Sequence, residues 1–124
     1  MSSARNEQRK RLRVEVDQTA ELLSADGTPH PAVLANISGA GSQVRIALET
    51  AAALGLPQAT TLPFRLWLPG DDEHVPLQGD AQVIYCVASE DGRSALVGLE
   101  FGEVLADGRK RIDDFIATCL RYAE

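Results

Sequence analysis

A short polar turn between two alternating segments carries the side chains best suited to binding a small ligand. Asn36 and Ser38 supply hydrogen-bonding groups on short side chains. Gly39 and Gly41 permit a positive φ or the close approach of a ligand. Two interpretations stay open at this point, because the polar groups either close the turn on itself or face outward to a bound molecule.

The charge distribution predicts a basic arm attached to an acidic body. Residues 1–13 contain five basic residues and one acidic residue, a net charge of +4, so the remaining 111 residues carry −10 of the total of −6. Such a body disfavours long nucleic acids, whose affinity depends on many phosphate contacts. The arm is still able to bind one small anion. Residues 1–12 have almost no apolar surface, so we expect a flexible arm ahead of a single domain at 13–124.

Length and composition indicate one folded domain. A chain of 124 residues with 44% hydrophobic residues is long enough to bury a core. No apolar run is long enough to cross a bilayer, and residues 1–13 lack the apolar segment of a secretory signal, so we expect a cytoplasmic protein without membrane insertion. Cys86 and Cys119 lack CxxC spacing and nearby histidines, which favours reduced core cysteines over zinc binding, redox chemistry or a disulfide.

Six segments that alternate apolar and polar residues predict β-strands, at about 13–22, 33–37, 44–48, 64–68, 75–87 and 95–101. Gly79 lies within the fifth segment, where we expect a bulge or a bend. The alanine-rich segment from Glu49 to Leu56 is compatible with a helical turn or a loop, and Gly55 with Pro57 prevents a long continuation, so we predict an irregular connection. Trp67 falls on the polar face of the fourth segment, which leaves its ring available to a helix, a partner or a ligand.

The last part of the chain changes its period from two residues to about 3.6. Apolar side chains recur there along one stripe: Ile112, Phe115, Ile116, Cys119 and Leu120. The stripe predicts a terminal helix with one face against the core. Together the elements predict a mainly β fold, a six-stranded antiparallel barrel with a C-terminal α-helix, because barrel closure removes exposed strand edges.

The pattern Asn36-x-Ser38-x-x-Gly41, with Arg9-x-x-x-Arg13 just ahead of the first strand, resembles the PilZ domain family. The resemblance extends to the last strand and the terminal helix, and it covers nearly the whole chain. It implies a barrel that binds the bacterial second messenger cyclic di-GMP. It also implies that binding changes the surface of the barrel and so regulates a downstream protein, whose identity the resemblance leaves open.

The resemblance also assigns ligand contacts to particular residues. Arg9 and Arg13 would bind phosphates or the O6/N7 edge of guanine through their planar forks. Asn36 and Ser38 would add neutral hydrogen bonds, and Gly41 would shape the turn. Four further positions are candidates for additional contacts: Lys10, Arg11, Gly39 and Tyr85. Tyr85 either stacks on a guanine or packs at the rim of the core.

Three other functions compete with the receptor. His30 lies between two prolines and His74 lies in an acidic loop, without a serine or cysteine at a catalytic spacing, so we predict no enzyme, no metal site and no cofactor beyond the ligand. A barrel for nucleic acid needs basic and aromatic residues across one face, and this acidic body has six aromatics. The alternative is a PilZ-like adaptor that binds protein without the nucleotide. Gln8 stands where some family members have another arginine, which leaves the ligand stoichiometry open.

Overall fold

The computed structural model describes residues 12–56, 60–71 and 74–123. These residues form six strands and two helices. In chain order they are β1 (Val14–Leu23), β2 (Pro29–Ile37), β3 (Gly41–Ala47), α1 (Leu48–Ala53), β4 (Thr61–Leu66), β5 (Leu77–Ala88), β6 (Ser94–Val104) and α2 (Gly108–Ala123). The predicted arm lies outside the described residues except for Leu12, so Gln8, Arg9, Lys10 and Arg11 have no described position.

The six strands close into one antiparallel barrel in the order β1-β2-β3-β6-β5-β4. β1 completes the ring because it pairs with β2 on one side and with β4 on the other. Side chains alternate between the interior and the surface along each strand. In β1, for example, Ala20 and Leu22 are fully buried while their neighbours are exposed or half-buried. The predicted barrel with a C-terminal helix is confirmed.

The interior of the barrel is filled by apolar side chains from all six strands and both helices. Phe64 and Phe101 pack there with ring centroids 5.4 Å apart. Ile112 and Ile116 of α2 are fully buried in the same core, which confirms the predicted apolar stripe. Leu12 is also partly buried against this core, so apolar packing begins immediately before Arg13.

The connection between β3 and β4 differs from the sequence-based prediction. The irregular connection predicted for Glu49 to Leu56 is wrong, because this segment begins with the short helix α1. Alanine favours helix, and the burial of Ala51 and Leu54 stabilises a helix too short to persist alone. The chain leaves α1 through Gly55, whose φ of 77° is accessible to glycine without strain. Neither helix within the described ranges combines the length and hydropathy needed to cross a bilayer.

Several strand boundaries also differ from the prediction by a few residues, since β2, β3 and β4 begin earlier and β6 ends later than expected. β4 ends one residue before Trp67, whose side chain is half-buried rather than exposed. β5 begins at Leu77, two residues after the predicted start. The bulge expected at Gly79 is confirmed by a shift of the β5–β6 register between Gly79 and Ala81. A Cβ at Gly79 would also collide with the carbonyl oxygen of Glu103, so this position has no room for a larger residue.

Both cysteines are free and half-buried. They therefore lie at the margin of the core rather than at its centre. Burial raises the pKa of the Cys86 thiol. The thiol of Cys86 consequently stays protonated at neutral pH and is a weak nucleophile.

Candidate ligand-binding site

The strand register places four residues in one row across the outside of the barrel. Asn36 of β2 pairs with Gln43 of β3. Gln43 pairs with Gly98 of β6, and Gly98 pairs in turn with Tyr85 of β5. We call Asn36, Gln43, Gly98 and Tyr85 the polar row. Four neighbouring strands thus contribute one residue each to the same part of the surface.

Hydrogen bonds connect Arg13 to the polar row and continue along it. Nη1 of Arg13 donates to Oδ1 of Asn36 over 3.0 Å. Nδ2 of Asn36 donates to Oε1 of Gln43, and Nε2 of Gln43 donates to the hydroxyl of Tyr85. Each bond restricts the rotamers of the next side chain, so the row acts as a connected network. Arg13 and Tyr85 are therefore positioned by the same set of bonds.

Gly98 allows the ring of Tyr85 to lie across β6. A Cβ built on Gly98 would lie 2.5 Å from Cζ and 2.7 Å from Cδ2 of that ring. A larger residue at this position would displace the ring and break its contact with Gln43. A register shift between Val83 and Tyr85 brings two consecutive residues, Ile84 and Tyr85, to the same cavity. The half-buried tyrosine thus has a ring surface suited to stacking.

The turn between β2 and β3 is closed by the buried side chain of Ser38. Its Oγ accepts hydrogen bonds from the amides of Ala40 and Gly41 at 3.3 Å and 3.2 Å, and it donates to the Gly41 carbonyl over 3.3 Å. The backbone amide of Ser38 donates to the same carbonyl over 2.8 Å. Ser38 therefore follows the interpretation in which the turn closes on itself. Asn36 and Ile37 belong to β2, as the alternation predicted, and β3 begins at Gly41, so the turn itself consists of residues 38–40.

Gly41 is required by crowding rather than by a positive φ. A Cβ at this position would overlap the carbonyl oxygen of Leu99 and lie 3.1 Å from Cα of Glu100. The turn is also bonded to β6, since the amide of Phe101 donates to the carbonyl of Ala40 over 2.8 Å. The backbone of the turn thus lies directly against β6, and this close approach explains why residue 41 is a glycine.

An arginine of α2 also reaches the turn. Nη1 of Arg109 donates to the carbonyl of Gly39 over 3.4 Å, and Nη2 donates to the carbonyl of Gly102 over 3.0 Å. Arg109 lies in the first turn of α2 and so connects this helix to both the turn and β6. Gly39, which the sequence analysis named as a candidate ligand contact, accepts this hydrogen bond through its backbone carbonyl.

A cavity of about 340 Å³ opens between the turn and the polar row. Four residues proposed from the sequence line it: Arg13, Ser38, Gly41 and Tyr85. The structure adds Ala40, Ile84, Gly98, Leu99 and Glu100. Asn36 contacts Arg13 but is not among the residues that line the cavity. The volume lies at the lower end of the range for small-molecule sites, and its lining combines a cation, an aromatic ring and apolar surface.

Sequence-based reasoning missed Gln43, Glu100 and Arg109. The hairpin register was the available signal for Gln43, because it places this residue opposite Asn36. Glu100 looks like any polar residue on the exposed side of β6, and Arg109 is remote in sequence from the turn that it contacts. Their positions depend on closure of the barrel, which places β6 beside both β3 and β5.

Ser38→Ala is expected to lower the free energy of unfolding by about 1–3 kcal/mol, because the buried groups of the turn lose their partner. Urea unfolding measures this change. The control is Ser42→Ala, because Ser42 is buried and its Oγ has no hydrogen-bond partner among the described residues. Removing that hydroxyl is expected to be neutral or stabilising. Equal unfolding midpoints for the Ser38→Ala variant and the unchanged protein would show that the hydroxyl does not hold the turn.

The fold and the site together define a small antiparallel barrel domain with a ligand-sized cavity on its outer face. The model of the PilZ domain family matches residues 5–118. The chain belongs to the PilZ domain family, as the resemblance of its motifs implied. A comparison with curated proteins finds no match.

Solved structures with the same fold include three that are informative. The Bacillus subtilis inhibitor of motility MotI/DgrA has a TM-score of 0.71 and 15% identity, over 90% of this chain and 50% of that one. Borreliella burgdorferi PlzA in complex with cyclic di-GMP has a TM-score of 0.65 and 10% identity, over 96% of this chain and 55% of that one. The PilZ domain of Escherichia coli YcgR with cyclic di-GMP has a TM-score of 0.64 and 18% identity, over 94% of this chain and 95% of that one. This chain spans about half the length of MotI/DgrA and of PlzA, and at these identities the similarity shows the fold.

Proposed function

We propose that the protein is a receptor for cyclic di-GMP that changes its surface on binding and so regulates a downstream bacterial process. One observation carries the proposal. Three of the four residues of the PilZ pattern that the structure describes, Arg13, Ser38 and Gly41, line one cavity. The fourth, Asn36, is hydrogen-bonded to Arg13. Membership of the family supports the proposal, as do the structures of PlzA and of the YcgR domain that contain cyclic di-GMP.

The chemistry of the cavity suits this ligand. Cyclic di-GMP carries two phosphates and two guanines. A guanidinium such as that of Arg13 matches a pair of phosphate oxygens, or the O6/N7 edge of guanine, through two parallel hydrogen bonds. The ring of Tyr85 offers a surface on which a base can stack. Asn36 serves the site indirectly in this proposal, because it orients Arg13.

The basic arm extends the proposal to residues outside the described part of the chain. Arg9, Lys10 and Arg11 add cationic groups close in sequence to Arg13. We propose that the arm folds over the bound nucleotide, because a ligand with two phosphates supplies the anion that residues 1–12, with a net charge of +3, need in order to become ordered. The covered ligand would form a new surface for a cytoplasmic protein partner. Binding rather than catalysis is the activity proposed.

Isothermal titration calorimetry with cyclic di-GMP tests the proposed function, with GTP and cyclic GMP as controls. Saturable binding that is far tighter for cyclic di-GMP than for either control is the expected result. The same titration measures the stoichiometry, one or two nucleotides for each chain. Absence of binding would overturn the receptor assignment and favour the adaptor that does not bind the nucleotide. Equal affinity for GTP would contradict selectivity for the cyclic dinucleotide.

A further inference from the structure

The cavity contains a carboxylate that the PilZ pattern does not explain. Glu100 of β6 lines the cavity together with Arg13 and Tyr85. Its strand neighbours Leu99 and Phe101 are buried in the core, so alternation directs Glu100 to the outer face. An acid in this position repels the phosphates of a ligand. Its presence is understandable if it faces a part of the ligand that donates hydrogen bonds.

The strand geometry places Glu100 beside the stacking surface of Tyr85. Glu100 lies two residues beyond Gly98 on the same face of β6, a separation of about 7 Å along the strand. The ring of Tyr85 covers Gly98. A base stacked on that ring would therefore direct one of its edges along β6 toward the Glu100 carboxylate. Arg13, which also lines the cavity, would remain for phosphate.

The edge that fits a carboxylate distinguishes guanine from adenine. The Watson–Crick edge of guanine presents N1–H and N2–H side by side, and an ionised carboxylate accepts both because it has two acceptor oxygens and no donor. Adenine presents the N6 amino group as a donor beside N1, which is an acceptor. One carboxylate oxygen would then face an acceptor, which is unfavourable, so the same group attracts guanine and rejects adenine.

We propose that Glu100 binds the Watson–Crick edge of a guanine and makes this site select cyclic di-GMP over cyclic di-AMP. The inference rests on the proposed function and adds a specificity-determining residue to it. Glu100 touches the base in this arrangement, Tyr85 stacks on its face, and Arg13 binds phosphate.

The test is a set of calorimetric titrations of the full chain with cyclic di-GMP and with cyclic di-AMP. Glu100→Gln is expected to weaken cyclic di-GMP binding by about 5- to 150-fold, the range for loss of a two-bond contact with a base. The same variant should gain affinity for cyclic di-AMP, because the glutamine amide donates to adenine N1 and accepts from N6. Glu100→Ala should weaken cyclic di-GMP binding without that gain. Glu103→Gln is the control, since Glu103 is also exposed on β6 but is not among the residues that line the cavity.

The outcomes separate this inference from the proposed function. If the unchanged protein binds neither nucleotide, both fail. If the unchanged protein binds cyclic di-GMP and Glu100→Gln increases the affinity for both nucleotides equally, Glu100 only repels phosphate. This inference alone is then overturned. An unchanged ratio of the two affinities would also overturn it. Because Glu100 is exposed, the variants should keep the melting temperature of the unchanged protein, and a lost melting transition in Glu100→Gln would contradict that exposed role.

Discussion

Arg13→Ala is expected to weaken cyclic di-GMP binding by about 1.5–3 kcal/mol, roughly 10- to 150-fold, which is the usual range for hydrogen bonds to charged groups. Arg13 lines the cavity and is held by Asn36, so its fork is oriented before the ligand arrives. Calorimetric titration of the variant and the unchanged protein measures the loss. The guanidinium is exposed, so the melting temperature without ligand should change little.

Two further variants show whether the loss at Arg13 reflects the fork or only the charge. Arg13→Lys should restore binding in part, because an ammonium supplies the charge without the planar pair of donors. Arg45→Ala is the matched control, since Arg45 is exposed on β3 outside the cavity and its removal lowers the net charge equally. Native affinity in Arg13→Ala, on protein with an unchanged melting temperature, would contradict the assignment of this arginine to the ligand.

Gly41→Ala is expected to lower the free energy of unfolding by about 3 kcal/mol, at the upper end of the range for overpacking. The added Cβ would collide with the Leu99 carbonyl oxygen and lie 3.0 Å from the carbonyl carbon of the same residue. Both atoms belong to the backbone of β6, so relief requires the turn to separate from that strand. Thermal or urea unfolding measures the loss, and ligand binding should decline with it because the wall of the cavity moves.

Gly102→Ala provides the comparison for Gly41→Ala. A Cβ at Gly102 would lie 3.2 Å from the carbonyl oxygen of Asp80, a contact that a shift of a few tenths of an ångström relieves. Alanine also restricts the unfolded chain more than glycine does, which offsets part of that cost. We therefore expect a small decrease in the free energy of unfolding for Gly102→Ala and a large decrease for Gly41→Ala. Equal stabilities for the two variants would show that the close approach at Gly41 is not what requires glycine.

The strands and the terminal helix were predictable because their signal is local. A period of two in β1 and a period near 3.6 in α2 each come from neighbouring residues that share one face. Helix α1 was not predictable in the same way. Its alanines have no strong periodicity, and the burial of Ala51 and Leu54 against the barrel decides their conformation. The positions of Trp67 and of the start of β5 likewise depend on where strand pairing ends.

The sequence by itself determined the composition of the candidate site in part: the arginine ahead of β1, the polar turn and the tyrosine of β5. It left open whether Ser38 closes the turn or faces a ligand, and whether Gly41 is needed for its φ or for space. Only the tertiary structure shows that the Ser38 hydroxyl closes the turn while Ser38 also lines the cavity. It also shows that Gly41 is needed for space, because the backbone of β6, which is distant in sequence, lies directly against the turn.

The same reason applies to the polar row and to Glu100. Gln43, Gly98 and Tyr85 become neighbours through pairing between β3, β6 and β5, and no short segment of the chain contains that register. Glu100 lines the cavity because β6 lies between β3 and β5 in the closed barrel. Local patterns specify which residues form strands and which side faces the core, whereas contacts across a cavity are set by the order in which the strands join.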